Sequence, residues 1–166
     1  MTSTTRQRVE RVEMPPLAVT ITWEGDVVRK LNVGRSGTGT TASPSALAMA
    51  YKTALGRYVA GEPVDWPEAP IDMDSLTPFS KQVLVALRRH APHGTRLTYG
   101  QLATLAGAPG SARAVGRVMA NNPWPLLYPC HRVVGSTGAL TGFSAEGGIE
   151  TKELMLGIET RGMEQA

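Results

Sequence analysis

Residues 98–121 read TYGQLATLAGAPGSARAVGRVMAN, and this stretch decides the fold of the second half of the chain. Thr98 and Gln101 fit a capping box, which predicts a short helix that stops at Gly107. A turn at 108–110 is followed by a second predicted helix, from about 112 to 121. Two helices joined by a tight glycine turn predict a helix-turn-helix, a unit found in many DNA-binding proteins.

The second of these helices has two different faces. The residues expected to face the protein interior are Ala112, Val115, Val118 and Met119. Those that share another face, at helical spacing, are Arg113, Gly116, Arg117 and Ala120. Small residues between two arginines allow a helix backbone to approach DNA closely while the guanidinium groups reach phosphates or bases. The alternative is an ordinary surface helix with two exposed arginines.

The first half of the chain predicts a small sheet and a helix. Residues 17–23 alternate between apolar and polar, 24–26 form a turn and 27–33 continue as a second strand. The segment 34–45 is rich in Gly, Ser and Thr, which predicts a flexible loop. An amphipathic helix closed by Gly61 follows, because apolar residues recur at helical spacing at Leu47, Tyr51, Leu55 and Tyr58.

These elements predict an α+β protein. A small N-terminal antiparallel sheet-plus-helix subdomain is joined to a mainly helical C-terminal domain that carries the helix-turn-helix and is winged-helix-like. The acidic, proline-bearing segment before Thr77-Pro78 is interpreted as the connector, since that pair is a helix N-cap followed by proline. The predicted boundaries are a flexible tail at 1–13, the N-terminal subdomain at 14–61, the connector at 62–76, the helix-turn-helix and active-site domain at 77–160, and a tail at 161–166.

Composition limits the class of protein. The chain has 166 residues, of which 42% are hydrophobic, enough for a globular interior. No apolar run approaches the length of a membrane span, and the polar N-terminus resembles neither a signal peptide nor an anchor. The single cysteine excludes an internal disulfide and a cysteine-rich metal cage. We expect a monomer in a reducing cytoplasm, where a thiol stays reduced.

The charge is unevenly distributed along the chain. The net charge is only +3, yet residues 75–145 contain no Asp or Glu and all three histidines. The basic residues of this span are Lys81, Arg88, Arg89, Arg96, Arg113, Arg117 and Arg132. A surface without carboxylates is what phosphate binding requires, so the span favours a nucleic-acid partner. The alternative is a solvated basic face, which is common in ordinary proteins.

The chemical centre is predicted at Cys130. Three prolines between 123 and 129 stiffen the chain before it, and His131 and Arg132 follow it. A free cysteine has a pKa near ~8.5, so a nucleophilic one needs a base or a cation beside it. His131 is the candidate base, and Glu159 the candidate partner, because a carboxylate in the last turn of a C-terminal helix opposes the helix dipole. The alternative is an inert, buried cysteine.

The residues around this cysteine resemble a known family. The run YPCHRVV at 128–134 is similar to the active-site signature of the O6-alkylguanine-DNA alkyltransferases, also called methylated-DNA–protein-cysteine methyltransferases. The same pattern includes RAVG at 113–116, Asn122-Pro123, Gly142-Phe143 and a lysine-to-glutamate C-terminal helix. The resemblance is strong from Phe79 to Glu159, and it is looser but in register from 15 to 61.

The resemblance implies a role for each motif residue. Cys130 would accept an alkyl group from O6 of guanine in DNA, or from O4 of thymine, and keep it, so that each molecule acts once. His131 would be its water-linked base and Glu159 the partner of the histidine. Asn122 would brace the turn between the recognition helix and the active site. Tyr99 would assist base flipping and donate a hydrogen bond to the guanine.

The resemblance also implies the contacts with substrate and DNA. Met119 would pack on the extruded base, whose exocyclic amine would donate to the backbone carbonyls of Cys130 and Val133. Ser144 would lie near the alkylated oxygen, beside Phe143. Arg113 would fill the space that the flipped base leaves in double-stranded DNA. The helix would dock in the minor groove, where further contacts are expected from Ala112, Ala114, Gly116 and Arg117.

Some positions depart from the family pattern. Phe143 replaces a frequent tyrosine, Leu84 replaces a frequent tryptophan, and the loop 144–148 is longer and includes Glu146. These changes concern the size of the alkyl pocket. Some members of the family have a zinc site in the N-terminal part, but this chain has no cysteine or histidine there. No metal and no cofactor are therefore expected.

Three other functions fit parts of the pattern. A non-catalytic sensor of alkylated bases would bind damaged DNA, although such relatives lack the cysteine. A helix-turn-helix transcription regulator would carry the thiol incidentally. A cysteine hydrolase would use Cys130 and His131 over many turnovers.

Overall fold

The computed structural model describes residues 6–140 and 148–164, and it begins with a three-stranded antiparallel sheet. The strands are β1 (Gln7–Met14), β2 (Leu17–Glu24) and β3 (Val27–Arg35), with β2 in the centre. Alternation in β2 buries Val19, Ile21 and Trp23 on one face. The two strands predicted from the sequence, with the turn between them, are confirmed as β2 and β3.

The prediction of a flexible tail at 1–13 is wrong for the residues that form β1. Residues 7–14 pair with β2 along their whole length, so this part of the tail is an edge strand. The sequence looks polar because an inward position is occupied by Glu10, whose buried carboxylate accepts hydrogen bonds from Trp23 Nε1 at 2.9 Å and Ser45 Oγ at 2.7 Å. A buried, fully hydrogen-bonded carboxylate cannot be distinguished from a surface one by sequence pattern.

Helix α1 (Ala46–Val59) lies against the sheet. Ser45 caps its N-terminus, and Gly61, with φ of 91°, ends the segment as predicted. The segment between β3 and α1 was expected to be a flexible loop. It is instead held to β1, because the carboxylate of Glu13 accepts the backbone N–H groups of Gly37 and Gly39, both at 2.9 Å.

Three helices form the centre of the second half: α2 (Pro78–His90), α3 (Tyr99–Leu105) and α4 (Ala112–Ala120). The local signals are confirmed, since Thr77 caps α2 and the capping box of Thr98 and Gln101 begins α3. Residues 106–111 turn the chain between α3 and α4, which pack against each other. The connector 62–76 contains a short 3-10 turn at Met73–Ser75.

Two short strands and a long helix complete the fold. Strand β4 (Leu97–Thr98) pairs in parallel with β5 (Val133–Val134), and α5 (Gly148–Glu164) packs against both halves of the chain. The predicted tail at 161–166 is wrong for residues 161–164, which continue α5. None of the helices in the described ranges is long and apolar enough to cross a membrane.

One hydrophobic core joins the two halves. It contains Ile21 and Tyr58 from the first half and Leu84, Leu102 and Ile158 from the second. The α+β class is confirmed, whereas the division into subdomains and the winged-helix-like character remain predictions. A shared core means that the N-terminal half supports the elements that carry the candidate site.

Candidate active site

Asn122 fixes the segment that leads to the cysteine. Its side-chain amide donates to the carbonyl of Tyr128 at 2.9 Å, and its oxygen accepts the N–H of Trp124 at 3.0 Å. Leu126 has a φ of 82°, a left-handed conformation that is strained for a branched residue. These hydrogen bonds, together with the prolines, hold the chain in one conformation as it approaches Cys130.

Cys130 begins a 3-10 turn, Cys130–Arg132, and only 2% of its surface is exposed. Burial raises the pKa of its thiol from 9.0 to about 11, against smaller opposing effects from Asn122 and Lys152. His131 and Arg132 follow Cys130 directly in the sequence, but the effects that lower this pKa do not include a positive charge on either residue. In the free protein at neutral pH, the sulfur is therefore a thiol.

The reason is that neither neighbour presents a free positive charge to the sulfur. Burial lowers the pKa of His131, which favours the neutral imidazole. The guanidinium of Arg132 is turned towards Glu159, with its Nε 2.8 Å from Oε1, and its Nη1 donates to the carbonyl of Ala91 at 2.8 Å. The positive charge of Arg132 is therefore balanced by a buried carboxylate.

Glu159 is the centre of a buried hydrogen-bond network. Its Oε1 accepts from Arg132 Nε and from the N–H of Gly94 at 3.1 Å. Its Oε2 accepts from the hydroxyl of Tyr58 at 2.6 Å and lies 2.5 Å from Nε2 of His131. Burial would raise the pKa of Glu159, but its interactions with His131 and with the guanidinium of Arg132 hold that pKa well below its ordinary value, so it is a carboxylate.

This network determines which nitrogen of the histidine can act as a base. An ionised carboxylate only accepts hydrogen bonds, so Nε2 of a neutral His131 carries the proton. Its Nδ1 is then the nitrogen with a free lone pair. That atom is buried and has no hydrogen-bond partner among the residues that the structure describes. A basic nitrogen thus lies on the residue next to a buried thiol.

The position of Glu159 agrees with the expected pairing but not with the reason given for it. Helix α5 continues to Glu164, so Glu159 lies before the last turn and the helix dipole does not disfavour it there. Its neighbours were brought to it by the tertiary fold. The prediction identified the partner of His131 through an incorrect helix boundary.

Lys152 is a site residue that the sequence reasoning missed. Its side chain is 1% exposed, and its Nζ donates to the carbonyl of Val133 at 2.5 Å. It is the cation whose charge lowers the pKa of Cys130, while burial lowers its own. A signal did exist, because Lys152, Met155 and Glu159 are spaced as one buried helical face. A lysine on such a face needs a partner inside the protein.

An open cleft of about 620 Å³ lies between α3 and α4. Its lining residues are Thr98, Tyr99, Gly100, Ala112, Arg113, Gly116 and Ser136. The cleft lies where the paired strands β4 and β5 end, and the turn with Cys130 directly precedes β5. Tyr99 and Arg113, which the resemblance assigned to base flipping, thus share a cleft beside the strand pair that connects to the thiol.

The exposed face of α4 carries the predicted DNA contacts. Arg113 and Arg117 are exposed and have no ion-pair partner within 6–140 and 148–164, whereas Ala112, Ala114 and Gly116 are half-buried between them. A methyl group added at Gly116 would meet the ring of Tyr99 at an ordinary 3.9 Å. Packing therefore does not require glycine at this position.

The carboxylate-free span is not a single basic surface. Three of its seven cations are paired with acids from outside the span: Lys81 with Asp74, Arg88 with Glu68, and Arg132 with Glu159. Folding brings these acids into contact, which a linear count of charges cannot show. Four cations of the span have no ion pair among the described residues, and two of these, Arg113 and Arg117, lie on α4.

The predicted substrate contacts are described only in part. Met119 and Val133 are buried, and the carbonyls of Cys130 and Val133 already accept hydrogen bonds from the N–H of Val133 and from Lys152. Each carbonyl oxygen has a second lone pair for a further donor. Gly142, Phe143, Ser144 and most of the loop that follows lie outside the described residues.

Comparison with known proteins gives consistent matches. The family profile "6-O-methylguanine DNA methyltransferase, DNA binding domain" matches residues 78–161. The methylated-DNA–protein-cysteine methyltransferase of Mycolicibacterium paratuberculosis is 42% identical over 127 residues, which cover 76% of this chain and 73% of that protein. The protein of the same name from Mycobacterium tuberculosis is 35% identical over 153 residues, covering 89% of each.

The similarity extends to three-dimensional structure. The crystal structure of Mycobacterium tuberculosis OGT in complex with DNA superposes with a TM-score of 0.72 and 33% identity, covering 92% of each chain. The superposition includes the N-terminal sheet as well as the part matched by the family profile. This chain therefore belongs to the methylated-DNA–protein-cysteine methyltransferase family.

Proposed function

We propose that the protein repairs DNA by moving an alkyl group from O6 of guanine, or O4 of thymine, to Cys130. The observation that carries the proposal is the buried pair of His131 and Glu159, whose Nε2 and Oε2 atoms lie 2.5 Å apart. His131 is the residue next to the only cysteine of the chain. This pair leaves Nδ1 of His131 as a proton acceptor. The proposal also rests on membership of the family.

The reaction is a displacement at a saturated carbon. The thiol proton of Cys130 moves to Nδ1 of His131, directly or through a water molecule, and Sγ forms a bond to the alkyl carbon. The bond between that carbon and O6 breaks, and its electron pair stays on the guanine, which takes up one proton from solvent. His131 releases the thiol proton to solvent and becomes neutral again. The products are a thioether on Cys130 and an unmodified guanine. Tyr99 donates a hydrogen bond to the departing base.

The raised pKa of the Cys130 thiol determines at which stage of the reaction the thiol ionises. With a pKa of about 11, roughly one molecule in ten thousand is a thiolate at pH 7, a cost of about 5 kcal/mol. The proton must therefore leave Cys130 when the substrate is in place. Asn122 and the charge of Lys152 stabilise the negative sulfur as it forms, and the imidazolium of His131 is balanced by Glu159.

The burial of Cys130 requires the base to leave the double helix. A thiol that is 2% exposed cannot reach a stacked base, so the lesion must be extruded into the protein. Helix α4 docks in the minor groove through Ala112, Ala114 and Gly116, and Arg117 binds phosphate. Arg113 fills the place of the extruded base. The base then packs on Met119 and Val133, with Ser144 and Phe143 near the alkyl group.

The protein acts once. A thioether is stable, and the chain has no other cysteine to remove the alkyl group. One monomer is consumed for each lesion. A reducing cytoplasm is the proposed setting, because the single thiol must remain available until a lesion arrives.

Mass spectrometry of the intact protein after incubation with O6-methylguanine DNA separates this function from the alternatives. Direct repair predicts one methyl group retained on the protein, with activity lost in proportion. Tight DNA binding without an adduct would favour a sensor or a transcription regulator. Repeated release of product without a stable adduct would favour a cysteine hydrolase.

A further inference from the structure

One of the four groups that hold Glu159 comes from the N-terminal half of the chain. The hydroxyl of Tyr58, on α1, lies 2.6 Å from Oε2 of Glu159 and 3.2 Å from the carbonyl oxygen of Met155. A tyrosine has one proton to donate, and the shorter contact to a charged acceptor is the stronger hydrogen bond. Tyr58 therefore donates to the same oxygen that faces His131.

The backbone around this contact keeps α1 and α5 close together. Gly61 and Gly162 lie three residues beyond Tyr58 and Glu159 respectively. A methyl group at Gly162 would come within 2.8 Å of the backbone carbon of Gly61. The chain just beyond the end of α1 thus comes into backbone contact with α5, close to Tyr58 and Glu159 in sequence. Tyr58 itself is 1% exposed, so it cannot move to solvent.

We propose that Tyr58 is a positioning residue of the alkyl-transfer site, which sets the basicity of His131 through Glu159. The inference rests on the proposed function, since it assigns His131 the role of base. By donating to Oε2, the hydroxyl withdraws negative charge from the oxygen that would stabilise an imidazolium. His131 therefore stays neutral, with Nδ1 free to accept the thiol proton.

The ionisation state of Tyr58 supports this role. Burial, and then the negative charge of Glu159, raise the pKa of Tyr58 well above its ordinary value, so it remains a donor at any pH at which the protein works. The other charged or titratable groups near the pair are Arg132 on Oε1, His93, Lys152 and Cys130. A change confined to the Tyr58 hydroxyl leaves each of these in place.

The chain supplies a matched control on the same helix. Tyr51 is also buried on α1 and packs on Trp66, as Tyr58 does. Its hydroxyl donates to the carbonyl of Pro67 at 2.7 Å, away from Glu159. Tyr51→Phe therefore removes a hydrogen bond of similar kind from the same helix without touching the His131 and Glu159 pair.

The test compares Tyr58→Phe, Tyr51→Phe and the unmodified protein by two measurements. One is the pKa of His131 by nitrogen NMR, and the other is the rate of methyl transfer from O6-methylguanine DNA as a function of pH. In Tyr58→Phe, we expect the pKa of His131 to rise by roughly 1 unit. The acid limb of the rate profile should move up by the same amount, so that transfer is roughly tenfold slower at pH values below both pKa values.

A purely structural role predicts a different result. Both variants would lose stability, and their rate profiles and His131 titrations would superpose on those of the unmodified protein. That superposition would overturn the proposal. Failure of the unmodified protein to accept methyl would instead refute the proposed function, and the NMR titration would still decide whether Tyr58 controls His131.

A second measurement covers the case in which Tyr58→Phe does not fold. Growth with 3-fluorotyrosine replaces all four tyrosines by a nearly isosteric, more acidic phenol. Stronger donation to Glu159 should lower the pKa of His131 relative to the unlabelled protein. The same labelling of Tyr51→Phe should give an equal decrease. An unchanged or increased pKa would contradict the inference.

Discussion

The buried network around Cys130 and the exposed face of α4 are organised in opposite ways. In the network, Glu159 accepts four hydrogen bonds, and the charge of Arg132 is balanced inside the protein. On α4, Arg113 and Arg117 are exposed, and no ion pair holds them in the described part of the chain. The first region can carry out chemistry but has no access to DNA, and the second has access but no reactive group.

We infer from this contrast that a lesion in DNA bound at α4 must be extruded into the buried network. Changes in the buried network should therefore alter the transfer step, whatever form the substrate takes. Changes on α4 should alter how DNA presents the lesion and should leave the transfer step intact. Measurements on each region test that separation.

The largest effect is expected for Cys130→Ser. A serine hydroxyl is a far weaker nucleophile than a thiol, so methyl transfer should be abolished. Affinity for methylated duplex should remain nearly unchanged, because the buried sulfur does not contact phosphate. Transfer is measured by intact mass and affinity by fluorescence anisotropy. A large loss of affinity would show that the two regions are not separable.

The second prediction concerns the state of the thiol. Since burial raises the pKa of Cys130 to about 11, the thiolate fraction in the free protein grows with pH throughout the range below 11. The rate at which a small alkylating reagent modifies Cys130 should therefore rise roughly tenfold per pH unit, about a thousandfold from pH 7 to pH 10. A rate that is flat over this range would mean that the sulfur is ionised at rest.

The third prediction is that Glu159→Gln slows transfer about a hundredfold or more. All four partners of Glu159 are donors, so the NH₂ group of a glutamine faces two donors in either orientation. Leaving Arg132 without its carboxylate should also decrease the free energy of unfolding by roughly 3 kcal/mol.

The control for this variant is Glu153→Gln, an exposed site on the same helix. It should change neither the transfer rate nor the stability by a measurable amount. Glu159→Gln should reduce the transfer rate by the same factor on duplex DNA and on free O6-benzylguanine. A defect seen with duplex alone would place Glu159 in DNA presentation.

The fourth prediction is that Arg113→Ala slows repair of duplex DNA but not the reaction with a free base. Because we propose that Arg113 occupies the space of the extruded base, its removal should slow repair in duplex DNA by roughly ten- to a hundredfold. Reaction with free O6-benzylguanine, which needs no extrusion, should be nearly unchanged. Single-turnover rates on both substrates provide the measurement. Equal losses on the two substrates would show that Arg113 does not take part in base flipping.

The smallest effect is expected for Gly116→Ala. Alanine is favoured over glycine inside a helix by about 1 kcal/mol, and the added methyl finds ordinary contact distances, so the free protein should become more stable. Affinity for duplex DNA should nevertheless fall several-fold, because the methyl keeps the minor groove away from α4.

Gly157→Ala on α5 is its matched control. A methyl there also meets the side chain of Arg161 at an ordinary 3.6 Å. It should stabilise the protein without changing DNA affinity. Thermal unfolding and anisotropy titrations give both quantities. If Gly116→Ala binds DNA as tightly as Gly157→Ala does, α4 does not approach the DNA backbone closely.

Features that depend on local sequence were predictable. The caps at Thr77 and Thr98 and the turn after Gly107 act over a few residues, and each is found where the sequence places it. The two faces of α4 follow from its helical period, so Val115 is buried and Arg113 exposed as expected. The reactive triplet at 130–132 could likewise be recognised as a motif.

Features that depend on tertiary partners could not be predicted from the local sequence. Strand β1 was missed because the buried carboxylate of Glu10 gives it a polar pattern. Lys152 and Tyr58 act on the site from positions distant in sequence, and their patterns alone suggest an ordinary buried face. The thiol state of Cys130 could not be predicted from its neighbours in sequence, because the fold buries the sulfur and directs Arg132 towards Glu159.

The most direct test of alkyl transfer to a buried thiol is a titration of the protein with excess O6-methylguanine duplex. Peptide mapping locates the methyl group, and nucleoside analysis counts the guanines repaired. We expect a plateau at one repaired guanine per protein molecule, with every methyl group on Cys130. Repair that continues past one equivalent, or methyl found on another residue, would contradict it.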